Sequence, residues 1–128
     1  MDQIKKNFGF GCMRLPMSGG EVDTAEFNRM VDLFLESGFN YFDTAHGYLN
    51  GKSELALREC LTSRYPRDRY ILTNKLTNFF FQKEADIRPF FQSQLDACGV
   101  DYFDFYLMHA QSADIFAQFK RSHRHDTA

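Results

Sequence analysis

Apolar positions in this chain fall into two alternating patterns. Short runs that are apolar on consecutive positions predict strands buried on both faces: Phe8–Leu15 (FGFGCMRL), Phe39–Phe42, Tyr70–Leu76 (YILTNKL) and Tyr102–Met108 (YFDFYLM). Between them, apolar residues recur at helical spacing. Phe27, Met30, Val31, Phe34 and Leu35 follow the i, i+3, i+4, i+7, i+8 rule of an amphipathic helix. Asp23 with Glu26 forms a capping box at its start, Thr24 being the alternative cap, and Gly38 stops it. A second helix is predicted from Lys52 to Arg64, with Leu57, Cys60 and Leu61 on one face and Glu54 near its positive N-terminus, before Tyr65-Pro66 breaks it. A third, from Lys83 to Cys98, shows Ile87, Phe90, Phe91, Gln94 or Leu95, and Cys98 at helical spacing, and Gly99 ends it.

Pro16 and the Ser18-Gly19-Gly20 turn close the first strand, and Thr77–Gln82 is a loop with three consecutive Phe residues. From Gln111 the signal fades. Ile115, Phe116 and Phe119 mark the start of a partial helix, and RSHRHDTA after Lys120 has no apolar periodicity. The expected organisation is one domain over residues 8–110, then a partial helix and a disordered or aberrant tail over 111–128. The order βαβαβαβ predicts a parallel sheet covered by helices. By itself it does not separate a doubly wound sheet from a barrel.

Composition narrows the function classes. The 128 residues suit one domain, and a net charge of −2 gives no electrostatic reason to expect nucleic acid or an anionic membrane. Fifteen Phe and six Tyr require a large apolar surface to be buried somewhere. Cys12, Cys60 and Cys98 are odd in number and widely spaced, so neither a disulfide framework nor a zinc site is indicated, and no metal is expected. No apolar run approaches the roughly 18 residues of a membrane helix, and a reducing cytoplasm is the expected location. Gly9 and Gly11 begin a dinucleotide fingerprint, but Arg14 stands where its third glycine would be.

The polar residues at the strand ends carry the chemistry. Asp43 follows the second strand, Lys75 lies near the end of the third, His109 follows the fourth, and Tyr48 sits in the loop after Asp43. In a barrel the C-terminal strand ends converge on one face, which would gather all four. Singly, each has a plainer role: Asp43 as a cap or turn residue, Lys75 as a strand-end lysine covering apolar surface with its stem, His109 as a hydrogen-bonded core histidine, Tyr48 as a packing aromatic. Recurrence at equivalent ends of consecutive strands favours a shared site. Such a set suits proton transfer to or from an oxygen. An ammonium beside a phenol stabilises the phenolate, a carboxylate holds the ammonium in place, and an imidazole hydrogen-bonds the substrate oxygen. General acid catalysis of this kind contributes about 10²–10⁴-fold, with electrons coming from a cofactor.

The stretches GFGCMRLP, GFNYFDTAHGYLNGKSE, ILTNKL and QLDACGVDYFDFYLMHA occur in that order between Phe8 and Ala110. Together they resemble the N-terminal half of the aldo-keto reductases, (β/α)8 barrels that reduce carbonyls with NADPH. The resemblance implies an α/β fold, a partial (β/α)8 TIM barrel of about four βα units. It assigns Asp43, Tyr48, Lys75 and His109 to the catalytic tetrad: Tyr48 as general acid, Lys75 and Asp43 as the pair tuning it, His109 orienting the carbonyl. Cys12, Met13 and Asp43 become contacts near the nicotinamide of NADPH, and the substrate a small carbonyl compound. The wording of GFGCMRLP and NYFDTA looks most like a bacterial branch often fused to an iron–sulfur module, although no cysteine cluster of that type stands in this sequence.

A full barrel takes about 250 residues. Four strands imply a truncated or frame-shifted reductase that binds NADPH weakly and turns over little as a monomer. Open sheet edges beside many Phe residues also predict self-association. The alternative is a non-enzymatic half-barrel that pairs with itself or with a separate second half.

Overall fold

In the structure, a computed structural model that describes residues 3–109, β1 (Gly9–Gly11) leads through a small hairpin into α1 (Thr24–Glu36). The hairpin strands are β2 (Met17–Ser18) and β3 (Glu21–Val22). β4 (Tyr41–Asp43) is followed by α2 (Lys52–Leu57), which continues as a π-helical turn through Thr62. β5 (Ile71–Leu76), α3 (Ile87–Cys98) and β6 (Phe105–Met108) complete the described chain. β1, β4, β5 and β6 form one sheet in that order, each pair parallel. This is the sheet that the apolar runs predict, with strands neighbouring in chain order as in a barrel wall.

The boundaries moved where side chains captured backbone groups. The run Phe8–Leu15 contributes only three strand residues, and the segment after it folds back as an antiparallel pair, Met17↔Val22 and Ser18↔Glu21. Gly19 and Gly20, at φ +60° and +82°, supply the two left-handed positions of a tight hairpin loop. Asp23 is the cap of α1, its Oδ1 accepting from the Glu26 N–H at 3.1 Å. α3 begins at Ile87 and not Lys83, because the Asp86 carboxylate accepts from the N–H groups of Gln82 and Lys83 and closes a separate 3₁₀ turn. β6 starts only at Phe105, since the Asp104 carboxylate takes both the Leu72 N–H and the Arg67 guanidinium at 2.7 Å. The expected partial helix and tail over 111–128 lie outside the described residues.

The core sits between the sheet and helices α1 and α2. Phe27, Val31, Phe34 and Leu35 of α1 meet Phe42, Leu57, Leu61 and Leu72 there. Phe10 and Phe34 pack against Phe42 with ring centroids 5.1–5.6 Å apart, which absorbs part of the high Phe content. Other apolar surface stays uncovered: a groove of about 470 Å³ runs beside β1, lined by Phe8, Phe10, Met30, Leu33, Phe34 and Phe39. None of Asp43, Tyr48, Lys75 and His109 lines it.

Gly99 closes α3 at φ +71°, and a Cβ built there would lie 2.9 Å from Arg58 Cγ and 3.1 Å from Thr62 Oγ1. Thr62 donates to the Cys98 carbonyl at 2.7 Å, so it has little room to yield. Gly99→Ala is expected to destabilise the chain by about 1–2 kcal/mol, read as a lowered urea midpoint with unchanged slope.

Candidate active site

The parallel registers bring the chemistry together. Asp43 pairs with Thr73 and Lys75 with Leu107, so the ends of β4, β5 and β6 stand side by side. The Lys75 ammonium is the hub. It donates to Asp43 Oδ2 at 2.8 Å, to the Thr44 carbonyl at 3.0 Å and to Tyr48 Oη at 3.0 Å. An ammonium has three N–H bonds, and all of them are engaged. Lys75 is mostly buried and Asp43 about two thirds so, which keeps the pair less screened than a surface ion pair.

Tyr48 reaches the hub because of the turn behind it. Leu49 and Asn50 adopt φ +53° and +55°, followed by Gly51 at +88°. Left-handed backbone is uncommon at leucine; such positions cost roughly 1–3 kcal/mol and persist where the surroundings dictate them. Here Leu49 packs against the core while α2 begins at once after Gly51. Ser53, in the first turn of α2, donates to the Cys12 carbonyl at 2.8 Å and stands 2.8 Å from Thr44 Oγ1. These bonds tie the turn to the ends of β1 and β4.

His109 completes the group. Its ring meets the Tyr48 ring edge-on at 5.8 Å, and its Nδ1 lies 2.8 Å from Thr77 Oγ1. Burial, and secondarily Lys75, hold the imidazole below its ordinary value, with Asp43 offsetting part of the effect. Around neutral pH it is therefore uncharged.

The structure thus brings Asp43, Tyr48, Lys75 and His109 into one constellation. The two β1-end residues behave differently from each other. Cys12 is fully buried in the core cluster, while Met13 is 54% exposed. Toward the end of β4 Cys12 bonds through its backbone, its N–H donating to the Asp43 carbonyl at 2.9 Å.

Sequence reasoning missed a second layer. Thr44 supplies a carbonyl to the ammonium, and Thr77 partners His109. Behind Lys75 lies a buried polar chain of Asn74, Gln94 and Glu54, with His46 bonded to Glu54 at 2.7 Å. One signal was present: Gln94 falls on the apolar face of its helix, where a polar residue needs a buried partner.

Known proteins resemble this chain in sequence and in fold. The sequence profile of the Aldo/keto reductase family matches residues 7–115. An aldo-keto reductase from Mycolicibacterium smegmatis is 34% identical over 106 residues, covering 78% of this chain and 35% of its own length. The holo form of an aldo-keto reductase from Bacillus halodurans superposes with a TM-score of 0.70 at 29% identity, covering 94% of this chain and 44% of its own. One from Klebsiella pneumoniae in complex with NADPH gives 0.66 at 20% identity, covering 91% and 42%. The chain therefore spans about a third of that curated relative and under half of those solved barrels. A parallel four-stranded sheet in this order is part of the (β/α)8 barrel those structures form. The chain belongs to the aldo-keto reductase family.

Proposed function

We propose that this chain carries the proton-donating site of an NADPH-dependent carbonyl reductase, with Tyr48 as general acid. The observation that carries the reading is the three-way grip of the Lys75 ammonium on Asp43, the Thr44 carbonyl and Tyr48. Because Lys75 donates to Tyr48 Oη, the phenol keeps its own proton for another acceptor. Among the described residues Tyr48 Oη accepts from Lys75 and donates to none. A carbonyl oxygen placed between Tyr48 and His109 would take that proton. As the proton leaves, the ammonium faces the growing phenolate and the Asp43 carboxylate holds the ammonium in place.

His109 contributes as a neutral donor. In the tautomer in which the Thr77 hydroxyl donates into Nδ1, the imidazole carries its proton on Nε2, the nitrogen that would face the carbonyl oxygen in this reading. The sign of its pH dependence follows. Its stabilising contribution is complete above the ordinary value of 6.5 and is lost as pH falls through the lowered folded value. His109→Asn is expected to flatten part of the acid-side fall in urea stability between about pH 8 and pH 5. A fall identical to wild type would contradict this.

NADPH supplies the hydride when bound. The described residues suit the nicotinamide end: an exposed Met13 beside the tetrad strands, and Asp43 partly exposed beside Tyr48. Cys12 fits only through its backbone. The grip on the rest of the nucleotide is assigned to the remainder of the barrel, so the 128-residue chain by itself is expected to bind NADPH weakly and turn over little. A fluorescence titration tests this, and tight saturable binding by the isolated chain would overturn it. NADPH oxidation dependent on added aldehyde or ketone, in a form that binds the nucleotide, tests the reductase reading itself.

Among the described residues β1 and β6 each have a neighbour on one side only. With the groove beside β1, this supports self-association through open edges. Light scattering giving a clean monomer would remove that expectation.

A further inference from the structure

Lys75 must present three N–H bonds to three acceptors from the end of a flexible stem, so the placement of its backbone matters. Yet β4 accompanies β5 no further than the Asp43↔Thr73 pair, leaving the Lys75 peptide beyond the end of that neighbour. Two side-chain amides are bonded to it. The Lys75 N–H donates to Asn74 Oδ1 at 2.8 Å, and Gln94 Nε2 donates to the Lys75 carbonyl at 3.0 Å. The same Gln94 nitrogen donates to Asn74 Oδ1 at 3.0 Å, joining the two clamps.

This pair is itself anchored. Asn74 Nδ2 donates to Glu54 Oε2 at 2.8 Å, and the Tyr106 hydroxyl donates to Gln94 Oε1. Asn74, Gln94 and Glu54 are all fully buried. Buried amides of this kind need partners in any core. What sets this network apart is its target, since both the N–H and the C=O of one residue, Lys75, are taken by it.

We infer that Asn74, held by Gln94 and Glu54, is a positioning residue that fixes the Lys75 peptide so that its ammonium meets Asp43, Thr44 and Tyr48 together. The inference rests on the proposed pairing of Lys75 with Tyr48, and it assigns Asn74 and Gln94 no contact with substrate. It makes the buried polar layer part of the site's alignment and not merely of the core.

The test uses the 128-residue chain labelled with ¹³Cζ-tyrosine at neutral pH, the Tyr48 signal being assigned by its loss in Tyr48→Phe. The ¹³Cζ shift reports the hydrogen bond that Tyr48 Oη accepts. Lys75→Met sets the displacement produced by removing the ammonium. Asn74→Leu is expected to move the signal in the same direction by about half that displacement or more, while the Tyr65 and Tyr70 signals stay in place. Gln94→Met, which keeps the side-chain length and removes the amide, is expected to move it the same way and decides the matter if Asn74→Leu does not fold. A Tyr48 signal unmoved in a folded variant, with Lys75→Met displaced, overturns the positioning role alone. A signal unmoved by Lys75→Met overturns the Lys75–Tyr48 pairing and this inference with it.

Discussion

Replacing Tyr48 by Phe is expected to lower NADPH-dependent carbonyl reduction by about 10²–10⁴-fold, in a form of the protein that binds the nucleotide. The substitution removes a single oxygen. Lys75 keeps Asp43 Oδ2 and the Thr44 carbonyl as acceptors, so the ion pair at the strand ends survives. Leu49 still fills its place in the core and the left-handed turn at Leu49–Gly51 keeps its reason to form. Stability should therefore change little while the proton source disappears. Comparing kcat/KM for the two proteins, alongside their urea midpoints, separates loss of the acid from loss of the fold.

Lys75→Met is expected to cost a similar factor for a different reason. The phenol remains, but the positive charge 3.0 Å from its oxygen is gone and the phenolate loses its stabilisation. Asp43, about two thirds buried, is left without its cation. Groups that act as a unit are strongly non-additive. The double variant Tyr48→Phe/Lys75→Met should thus fall little below the worse single one, and multiplication of the two losses would contradict the shared role. Lys75→Arg should not restore activity, because a planar fork cannot reproduce an ammonium's bonds to three acceptors arranged around a point.

The parallel sheet and its helices were legible because consecutive apolar runs and helical spacing report burial directly. Phe42 and Leu72 are fully buried, and Phe27, Val31, Phe34 and Leu35 face the core as their spacing requires. Asp43, Lys75 and His109 stood out in the sequence because they recur at equivalent ends of consecutive strands, with Tyr48 in the adjoining loop. Element boundaries were harder. The starts of α3 and β6 depend on the Asp86 and Asp104 carboxylates taking backbone N–H groups, and nothing in periodicity distinguishes an aspartate that does so from one facing solvent.

The polar layer behind the site was the least visible. Glu54 reads as a first-turn acid suited to a helix N-terminus, yet it is fully buried against Asn74 and His46. Asn74 sits inside an otherwise apolar strand and Gln94 on an apolar helix face. Each is an anomaly by itself. Only the tertiary pairing shows that they satisfy one another and reach Lys75. Cys12 illustrates the converse: at the end of the first strand its thiol lies in the core, while the next residue, Met13, is exposed.

The most direct test follows the hydride and the proton together. A form of the protein that binds NADPH, supplied with nucleotide deuterated at the transferred position of nicotinamide C4 and a small aldehyde, is predicted to place deuterium on the former carbonyl carbon. Tyr48→Phe should reduce that transfer by about 10²–10⁴-fold without abolishing nucleotide binding. Equal deuterium transfer by wild type and Tyr48→Phe, or none to any carbonyl tested despite bound NADPH, would contradict the assignment of this site.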